Sequence, residues 1–199
     1  MRPTLVLLHG WGFDASLWDA LAERLAHYRM VRWERGYFGP PAQPPVEPPF
    51  VAVGHSLGAM LLADMLPPET SLIAINGFDH FTGEGAVPAR VVERMRLRFI
   101  DAPDTVVTEF RARCGAPPAR SASVAPRLAD DLALLATHRA AASDRRCLSL
   151  HGNADPILPD TLRDTVFPGA LRAIHSDAGH LLPVTHPDWC AAQIESFLC

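Results

Sequence analysis

The chain has 199 residues, 48% of them hydrophobic, and a formal net charge of −4 at pH 7. This length supports a single well-buried core and is too short for two ordinary domains. No run of about 18 apolar residues is present, which excludes a membrane-spanning helix, and the mildly acidic balance argues against nucleic-acid binding.

Apolar strand patterns alternate with helical patterns along the chain, which is typical of a parallel sheet covered by helices. We predict strands near residues 4–8, 30–33, 50–54, 72–76, 147–151 and 171–175. We predict helices near residues 15–27, 57–66, 159–166 and 187–198. The chain passes from Met-Arg-Pro-Thr straight into its first strand, which leaves no room for a signal peptide. Four cysteines without metal-ligand spacing favour reduced thiols, so we expect a cytoplasmic protein.

The first strand ends in the glycine-rich turn His9-Gly-Trp-Gly12. Such a turn can present the backbone N–H of Trp11 to an oxyanion that forms nearby. We expect His9 to hydrogen-bond the loop backbone and to take no part in chemistry.

The third strand runs into Gly54-His-Ser56-Leu-Gly58, and an apolar helical pattern follows. A strand, a Gly-x-Ser-x-Gly turn and a helix in this order are typical of a nucleophile elbow, whose tight turn exposes the serine hydroxyl. The N–H of Leu57, in the first turn of the helix, then points to the place where an oxyanion would form. The alternative is a glycine-flanked serine in an ordinary turn between a strand and a helix.

Two later strands each end in a loop that carries a candidate partner for Ser56. Asp155 follows the strand near 147–151, and His180 follows the strand near 171–175. The order serine, acid, histidine is the one that this kind of elbow requires, so we predict a triad of Ser56, Asp155 and His180. Asp177 is the rival acid, but only two residues separate it from His180, and its loop is poorly placed to orient that ring. His175 and His186 are rival bases, but His175 lies inside a strand, whereas Asp177-Ala-Gly-His180 has the small residues that let the His180 imidazole reach Ser56.

These segments together resemble an α/β-hydrolase over nearly the whole chain. More narrowly, Leu7-Leu-His-Gly-Trp-Gly-Phe-x-x-x-x-Trp18 and His186-Pro-Asp-Trp-Cys190 are similar to segments of the pimeloyl-[acyl-carrier protein] methyl ester esterases of biotin synthesis. The resemblance implies hydrolysis of an ester and an acidic acyl-carrier protein as a possible partner.

Members of this superfamily usually begin with an antiparallel hairpin, and this chain has no room for one before residue 4. The resemblance therefore implies an α/β fold with a trimmed, roughly six-stranded parallel sheet that lacks the hairpin, and it puts the 30–33 strand at the edge. The alternating charges of Val31-Arg-Trp-Glu-Arg-Gly36 fit an edge strand, since they discourage pairing with another chain. The resemblance also implies one domain, residues 1–199, with a small helical cap inserted at about 78–143.

Apolar stripes in the cap region predict two short helices. Most of these apolar residues are expected to pack the cap onto the body, and we assign two of them, Leu97 and Phe110, to substrate binding. Residues 86–120 contain seven arginines and four acidic residues, a net charge near +3 against about −7 for the rest of the chain. Such a basic surface suits an acidic partner, and the candidate docking residues are Arg94, Arg98, Arg111 and Arg113. The alternative is a solvated helix face with Arg–acid pairs.

We therefore predict a serine carboxylesterase that acts through an acyl-enzyme, with the methyl ester of pimeloyl-acyl-carrier protein as the leading substrate. The alternatives on the same triad are a general small-ester esterase, a thioesterase, a C–C hydrolase and a menaquinone-pathway lyase. A non-enzymatic scaffold is a further possibility. The nine histidines show no His-x-x-x-His or His-x-His spacing, so we expect no metal site and no cofactor.

Overall fold

The structure, a computed structural model, describes residues 2–141 and 143–199. Residue 142 falls within the range expected for the cap and lies outside the described residues.

Six parallel strands form one sheet in the order β2-β1-β3-β4-β5-β6. The strands are β1 Thr4–Leu8, β2 Met30–Trp33, β3 Phe50–His55, β4 Leu72–Ile75, β5 Cys147–Gly152 and β6 Leu171–His175. The prediction of a six-stranded parallel sheet with the 30–33 strand at its edge is confirmed. No strand precedes β1 in the part of the chain that the structure describes.

Helices cover both faces of the sheet. They are α1 Asp19–Arg24, α2 Leu57–Met65, α3 Ala89–Asp101, α4 Pro103–Arg113, α5 Ala125–Thr137, α6 Asp160–Thr165, α7 Leu182–Thr185 and α8 Pro187–Leu198. The predicted helix 15–27 is shorter than expected: a 3₁₀ turn over Ala15–Trp18 precedes α1, which ends at Arg24.

The core has two layers, one on each face of the sheet, because successive side chains of a strand point to opposite faces. In β1, Val6 and Leu8 belong to the same apolar cluster as α2, α3, α4 and α5, whereas Leu5 and Leu7 belong to the cluster of α1 and α8. All four side chains are buried. A strand that is covered on both faces reads as a continuous apolar run, as β1 does.

Three helices, α3, α4 and α5, lie between β4 and β5, where two were predicted. The missed helix, α5, buries Leu128, Leu132 and Leu135. Their spacing is that of one helical face, so the pattern was legible in the sequence. No helix among residues 2–141 and 143–199 has the length and apolar character that a membrane crossing requires.

Candidate active site

Ser56 lies at the sharp junction between β3 and α2. Its backbone has φ 52° and ψ −126°, a conformation that non-glycine residues rarely adopt. The turn is held by a hydrogen bond from the Ser56 N–H to the Ile75 carbonyl of β4, at 3.1 Å. Strain of this kind at a serine matches the geometry expected for a nucleophile elbow.

The glycines around Ser56 are required by close contact with other backbone segments. A Cβ on Gly54 would lie 2.3 Å from the Ala59 Cα, and one on Gly58 would lie 2.2 Å from the Leu8 carbonyl oxygen. Gly10 is also constrained, though less tightly, because a Cβ there would lie 2.8 Å from the Ser56 Cβ. Helix α2 can therefore pack directly on β1, and the loop after β1 lies against Ser56.

The structure brings the three predicted triad residues together in one line of hydrogen bonds. The His180 Nε2 lies 3.1 Å from the Ser56 Oγ, and the His180 Nδ1 lies 2.8 Å from the Asp155 Oδ2. The His180 and Asp155 side chains are fully buried. With the Nδ1 proton donated to Asp155, the Nε2 lone pair is free to accept the Ser56 hydroxyl proton.

Asp155 is held as a carboxylate despite its burial. The N–H groups of Ile157 and Leu158 donate to its Oδ1 at 2.8 and 3.3 Å, and the Asn76 side chain donates to its Oδ2 at 2.8 Å. Burial opposes ionisation, but the charge of His180 and these hydrogen bonds outweigh it and lower the pKa of Asp155 to about 2. The acid is thus ionised throughout the neutral range.

Asn76 is a site residue that the sequence analysis did not identify. It is fully buried at the end of β4 with a φ of 46°, and its side chain reaches Asp155 across the end of the sheet. Asparagine tolerates this left-handed conformation better than most residues. The Asn76-Gly77 pair directly after a buried strand was the available signal, because it indicates a turn at the edge where the other site residues lie.

His55 is a second supporting residue. It is fully buried, and its Nε2–H donates to the backbone carbonyl of His180 at 2.8 Å. Burial and the neighbouring His180 lower the pKa of His55 to about 3, so its ring is neutral. The His55 ring packs against Phe13 and His180, and its hydrogen bond also fixes the loop that carries His180.

Of the two predicted oxyanion donors, Leu57 directly follows Ser56 in the chain, and Trp11 directly follows Gly10, the residue that lies against Ser56. Neither the Trp11 N–H nor the Leu57 N–H has a hydrogen-bond acceptor among residues 2–141 and 143–199, so both are free to donate to a substrate. The Trp11 indole N–H donates to the Leu128 carbonyl of α5 at 2.8 Å, and this bond fixes the loop after β1 against α5.

The two residues predicted to bind substrate have different surroundings. Phe110 packs edge-to-face on Trp11, with ring centroids 5.1 Å apart, and lines a cavity of about 410 Å³ whose wall includes Asp155. Leu97 differs from the expectation: it is 58% exposed and lines a separate hollow between α3 and α5. The cavity at Asp155 is mostly apolar, and its remaining apolar lining is Phe81, Val87, Pro88, Val91, Val92, Met95, Pro156, Ile157, Leu158 and Pro159.

The four predicted docking arginines also differ among themselves. Arg94 is exposed, with no ion pair or hydrogen bond to any part of the chain that is described. Arg98 is exposed and forms an ion pair with Glu109 at 2.8 Å, and Arg113 donates to the Pro156 carbonyl at 2.9 Å.

Arg111 is the exception. Its guanidinium is half-buried and donates to the carbonyls of Gly12 and Pro117 at 2.7 and 2.8 Å. Burial lowers the pKa of Arg111. Its bonds hold the loop after β1, so the expectation of a free docking cation does not fit this residue.

The rival acid, Asp177, lies close to the two rival bases, His175 and His186. Asp177 Oδ1 lies 3.0 Å from His175 Nδ1, and the rings of His175 and His186 are 4.1 Å apart. None of the three has a hydrogen bond to Ser56 or to His180 in the described part of the chain.

Comparisons with known proteins show what the chain is similar to. No family model matches the chain. It is 29% identical to a pimeloyl-[acyl-carrier protein] methyl ester esterase of Aromatoleum aromaticum, with 98% of this chain and 97% of that protein covered. It is 25% identical to a protein of the same name from Photobacterium profundum, with 98% and 94% covered. The aligned regions span 243 and 242 residues, more than the 199 of this chain, so the chain is a shortened form.

Solved structures share the fold. An esterase from Exiguobacterium antarcticum superimposes with a TM-score of 0.79 at 12% identity, over 98% of this chain and 91% of that one. A thermophilic esterase from Thermogutta terrifontis gives a TM-score of 0.73 at 18% identity, over 98% and 89%. Because its parallel sheet and these comparisons agree, the chain has the α/β-hydrolase fold, and it resembles, in shortened form and over nearly its full length, the pimeloyl-[acyl-carrier protein] methyl ester esterases.

Proposed function

We propose that the protein is a serine carboxylesterase in which Ser56 is the nucleophile, His180 the general base and Asp155 the residue that orients the base. The observation that carries this proposal is the unbroken line from Ser56 Oγ to His180 Nε2, at 3.1 Å, and from His180 Nδ1 to Asp155 Oδ2, at 2.8 Å.

The reaction has two halves. His180 Nε2 accepts the proton of Ser56 as its Oγ attacks the ester carbonyl carbon, and the Trp11 and Leu57 N–H groups stabilise the oxyanion. The imidazolium of His180 then gives its proton to the alkoxide that leaves as alcohol, and the acyl group stays on Ser56. A water molecule gives a proton to His180 and attacks the acyl carbon, and collapse of that intermediate returns the proton to Ser56 and releases the acid.

Ser56→Ala tests the nucleophile. The variant should lose hydrolysis of p-nitrophenyl esters and labelling by a fluorophosphonate probe, because no other serine among residues 2–141 and 143–199 lies in such a line. The matched control is Ser149→Ala, which removes a buried serine with a histidine nitrogen 2.9 Å away, His151 Nε2, outside the proposed site. The control should be labelled like the wild type. Labelling that persists in Ser56→Ala, or that is lost only in Ser149→Ala, would contradict the assignment.

Asp155→Asn tests the acid. It should lower kcat by about 10⁴-fold, since the amide favours the wrong tautomer of His180. Asp164→Asn, an exposed aspartate on α6, is the control and should retain activity. A loss of equal size in Asp177→Asn would assign the acid role to Asp177 instead.

For the physiological substrate, we propose the methyl ester of a pimeloyl group carried by an acyl-carrier protein. The support is the resemblance to the two curated esterases, together with an apolar cavity beside Asp155 that suits an unbranched acyl chain. We also propose that residues 78–143 act as a cap on a single domain, because α3 and α4 supply much of the cavity wall, including Val92 and Phe110.

The acidic carrier would meet the basic surface of the cap. Arg94, Arg98 and Arg113 are exposed on α3 and α4, so their charges can act on a partner that approaches the cavity. Opposite charges across such an interface speed association and weaken as salt rises. Arg111 is left out because its guanidinium binds backbone carbonyls inside the protein.

A growth test addresses the substrate. The gene should restore growth without biotin to a bacterial strain that lacks its own pimeloyl esterase, and Ser56→Ala should fail to do so. Replacing Arg94, Arg98 and Arg113 by Glu should lower kcat/KM on the carrier-protein ester while kcat/KM on p-nitrophenyl acetate stays the same, and added salt should mimic the change. No growth together with good turnover of small esters would favour a general esterase.

A further inference from the structure

Three side chains near the two ends of the segment that carries His180 form a group that the esterase chemistry does not use. His175 ends β6, Asp177 follows it in the loop, and His186 lies between α7 and α8. Each offers one ligand atom, and these three atoms lie within 4.8 Å of one another. Two imidazoles and one carboxylate form a donor set that divalent transition metals accept.

His175 has a nitrogen that the protein leaves unsatisfied. Its Nδ1 is buried, and among the described residues it makes no hydrogen bond, although the Asp177 Oδ1 lies 3.0 Å away. A buried nitrogen without a partner is costly, and a cation placed between this nitrogen and the carboxylate would satisfy both. The Trp189 ring packs edge-on against the His175 ring, with centroids 5.2 Å apart, and limits its rotation.

The neighbouring residue, Thr185, determines which ring nitrogen of His186 carries the proton. The Thr185 hydroxyl lies 3.0 Å from the Leu181 carbonyl, to which it must donate its single proton. The same hydroxyl oxygen lies 2.8 Å from His186 Nδ1, so it accepts a proton from that nitrogen. His186 therefore carries its proton on Nδ1 and leaves the Nε2 lone pair free, as a metal-binding imidazole requires.

We propose that His175, Asp177 and His186 form a binding site for a divalent transition-metal ion of the Zn²⁺ type. Zinc bonds to nitrogen and oxygen are about 2.0–2.2 Å long, so the three donors must approach by small rotations of their side chains. Asp177 and His186 are free to do so, since the Asp177 side chain is 76% exposed and the His186 ring is partly exposed. The open positions of the ion would hold water.

The position of the site gives the ion a structural effect. His175 and His186 stand just before and just after the segment 176–185, which carries His180. A metal ion that binds both would close this segment into a short loop and restrict its motion. Nothing in this effect depends on the proposed esterase activity, so the site can be tested by binding alone.

Isothermal titration calorimetry of the chelator-treated full-length protein with Zn²⁺ tests the site. The wild type should bind one ion per chain. Asp177→Asn and His186→Asn each remove a ligand and should weaken binding by at least about 10-fold, and Thr185→Val, which removes the partner of a ligand, should weaken it by about 10- to 100-fold. The matched control is His27→Asn, since His27 pairs with Glu195 at 2.9 Å as an isolated pair and should not affect binding.

Hydrogen exchange supplies a second measurement. Zn²⁺ should slow the exchange of backbone amides in residues 176–185 in the wild type and in His27→Asn, but not in His186→Asn. Circular dichroism checks that each variant is folded before it is titrated. The absence of saturable Zn²⁺ binding in the wild type, or an equal affinity in the wild type and the folded His186→Asn protein, would overturn the proposal.

Discussion

The backbone strain at Ser56 predicts an unusual response to glycine. Glycine adopts a positive φ without penalty, whereas alanine keeps the unfavourable φ of 52° and ψ of −126°. Such a conformation costs about 1–3 kcal/mol. Against this, replacing alanine by glycine lowers the free energy of unfolding by about 0.5–1 kcal/mol through chain entropy and by about 0.8 kcal/mol through the missing buried carbon. Ser56→Gly should therefore be as stable as Ser56→Ala or slightly more stable.

Ser149 provides the matched control, because it is fully buried in β5 and has no positive φ. At Ser149 the entropy and burial costs act without any relief of strain, so glycine should be less stable than alanine by about 1.5 kcal/mol. The glycine–alanine difference at Ser56 minus that at Ser149 then measures the strain alone, at about 1–3 kcal/mol.

Urea unfolding of the four variants measures this difference, and thermal melts should show it as a gap of about 4–8 °C for a strain of about 2 kcal/mol in a chain of this size. The measurement does not depend on activity, since the Ser56 variants lack the proposed nucleophile. If the glycine–alanine difference is the same at Ser56 as at Ser149, the elbow stores no strain and the argument is refuted.

Three further predictions concern the residues around the triad. The folded-state pKa of Asp155, about 2, lies below the ordinary value of 3.8, so its ionised form stabilises the protein above about pH 4, and about 2 kcal/mol of that stability is lost as the pH falls toward 2. The free energies of unfolding of the wild type and Asp155→Asn, measured in urea, should therefore converge as the pH is lowered from 6 to 3, and a constant gap would contradict the linkage. Asn76→Ala removes a hydrogen bond to a buried carboxylate, worth about 1.5–3 kcal/mol, and should lower kcat by about 10- to 100-fold with little change in KM on p-nitrophenyl acetate. An unchanged kcat would show that Asp155 needs no support from β4. Gly58→Ala should lower the free energy of unfolding by about 3 kcal/mol or more, because its Cβ would lie 2.2 Å from the Leu8 carbonyl oxygen. Gly39→Ala, where nothing lies within 4 Å, should leave the free energy of unfolding nearly unchanged, and equal effects at the two positions would refute the packing argument.

Much of the fold was predictable because its signals are local. The strands of a sheet that is covered on both faces are short apolar runs, and each predicted strand lies within one residue of the observed one at either end. The segments that carry Ser56, Asp155 and His180 were predictable for the same reason, since each is a strand that ends in a turn whose composition differs from that of the strand. Parallel strands bring such turns to one edge of the sheet, so their order along the chain predicts that they meet there.

The contacts that support the triad were not predictable in this way. Asn76 reaches Asp155 over 79 positions of sequence, and His55 reaches the His180 carbonyl over 125. No local pattern encodes which buried polar groups will face each other across such distances. The surroundings of the apolar residues in segment 78–143 were not predictable for a different reason. An apolar residue on an amphipathic helix can face the body of the protein or the solvent. Leu97 proved to be exposed and Phe110 to be packed, although both lie in apolar stripes.

The loop after β1 is tied to two different cap helices. Its Trp11 indole bonds to the Leu128 carbonyl of α5, and its Gly12 carbonyl accepts a bond from Arg111 of α4. A cap that swung away as a rigid lid would have to break both bonds and would release the turn that presents the Trp11 N–H. If the proposed oxyanion hole is right, substrate entry must leave these two attachments in place. The movement that opened such a lid would also displace the Trp11 N–H and would abolish activity.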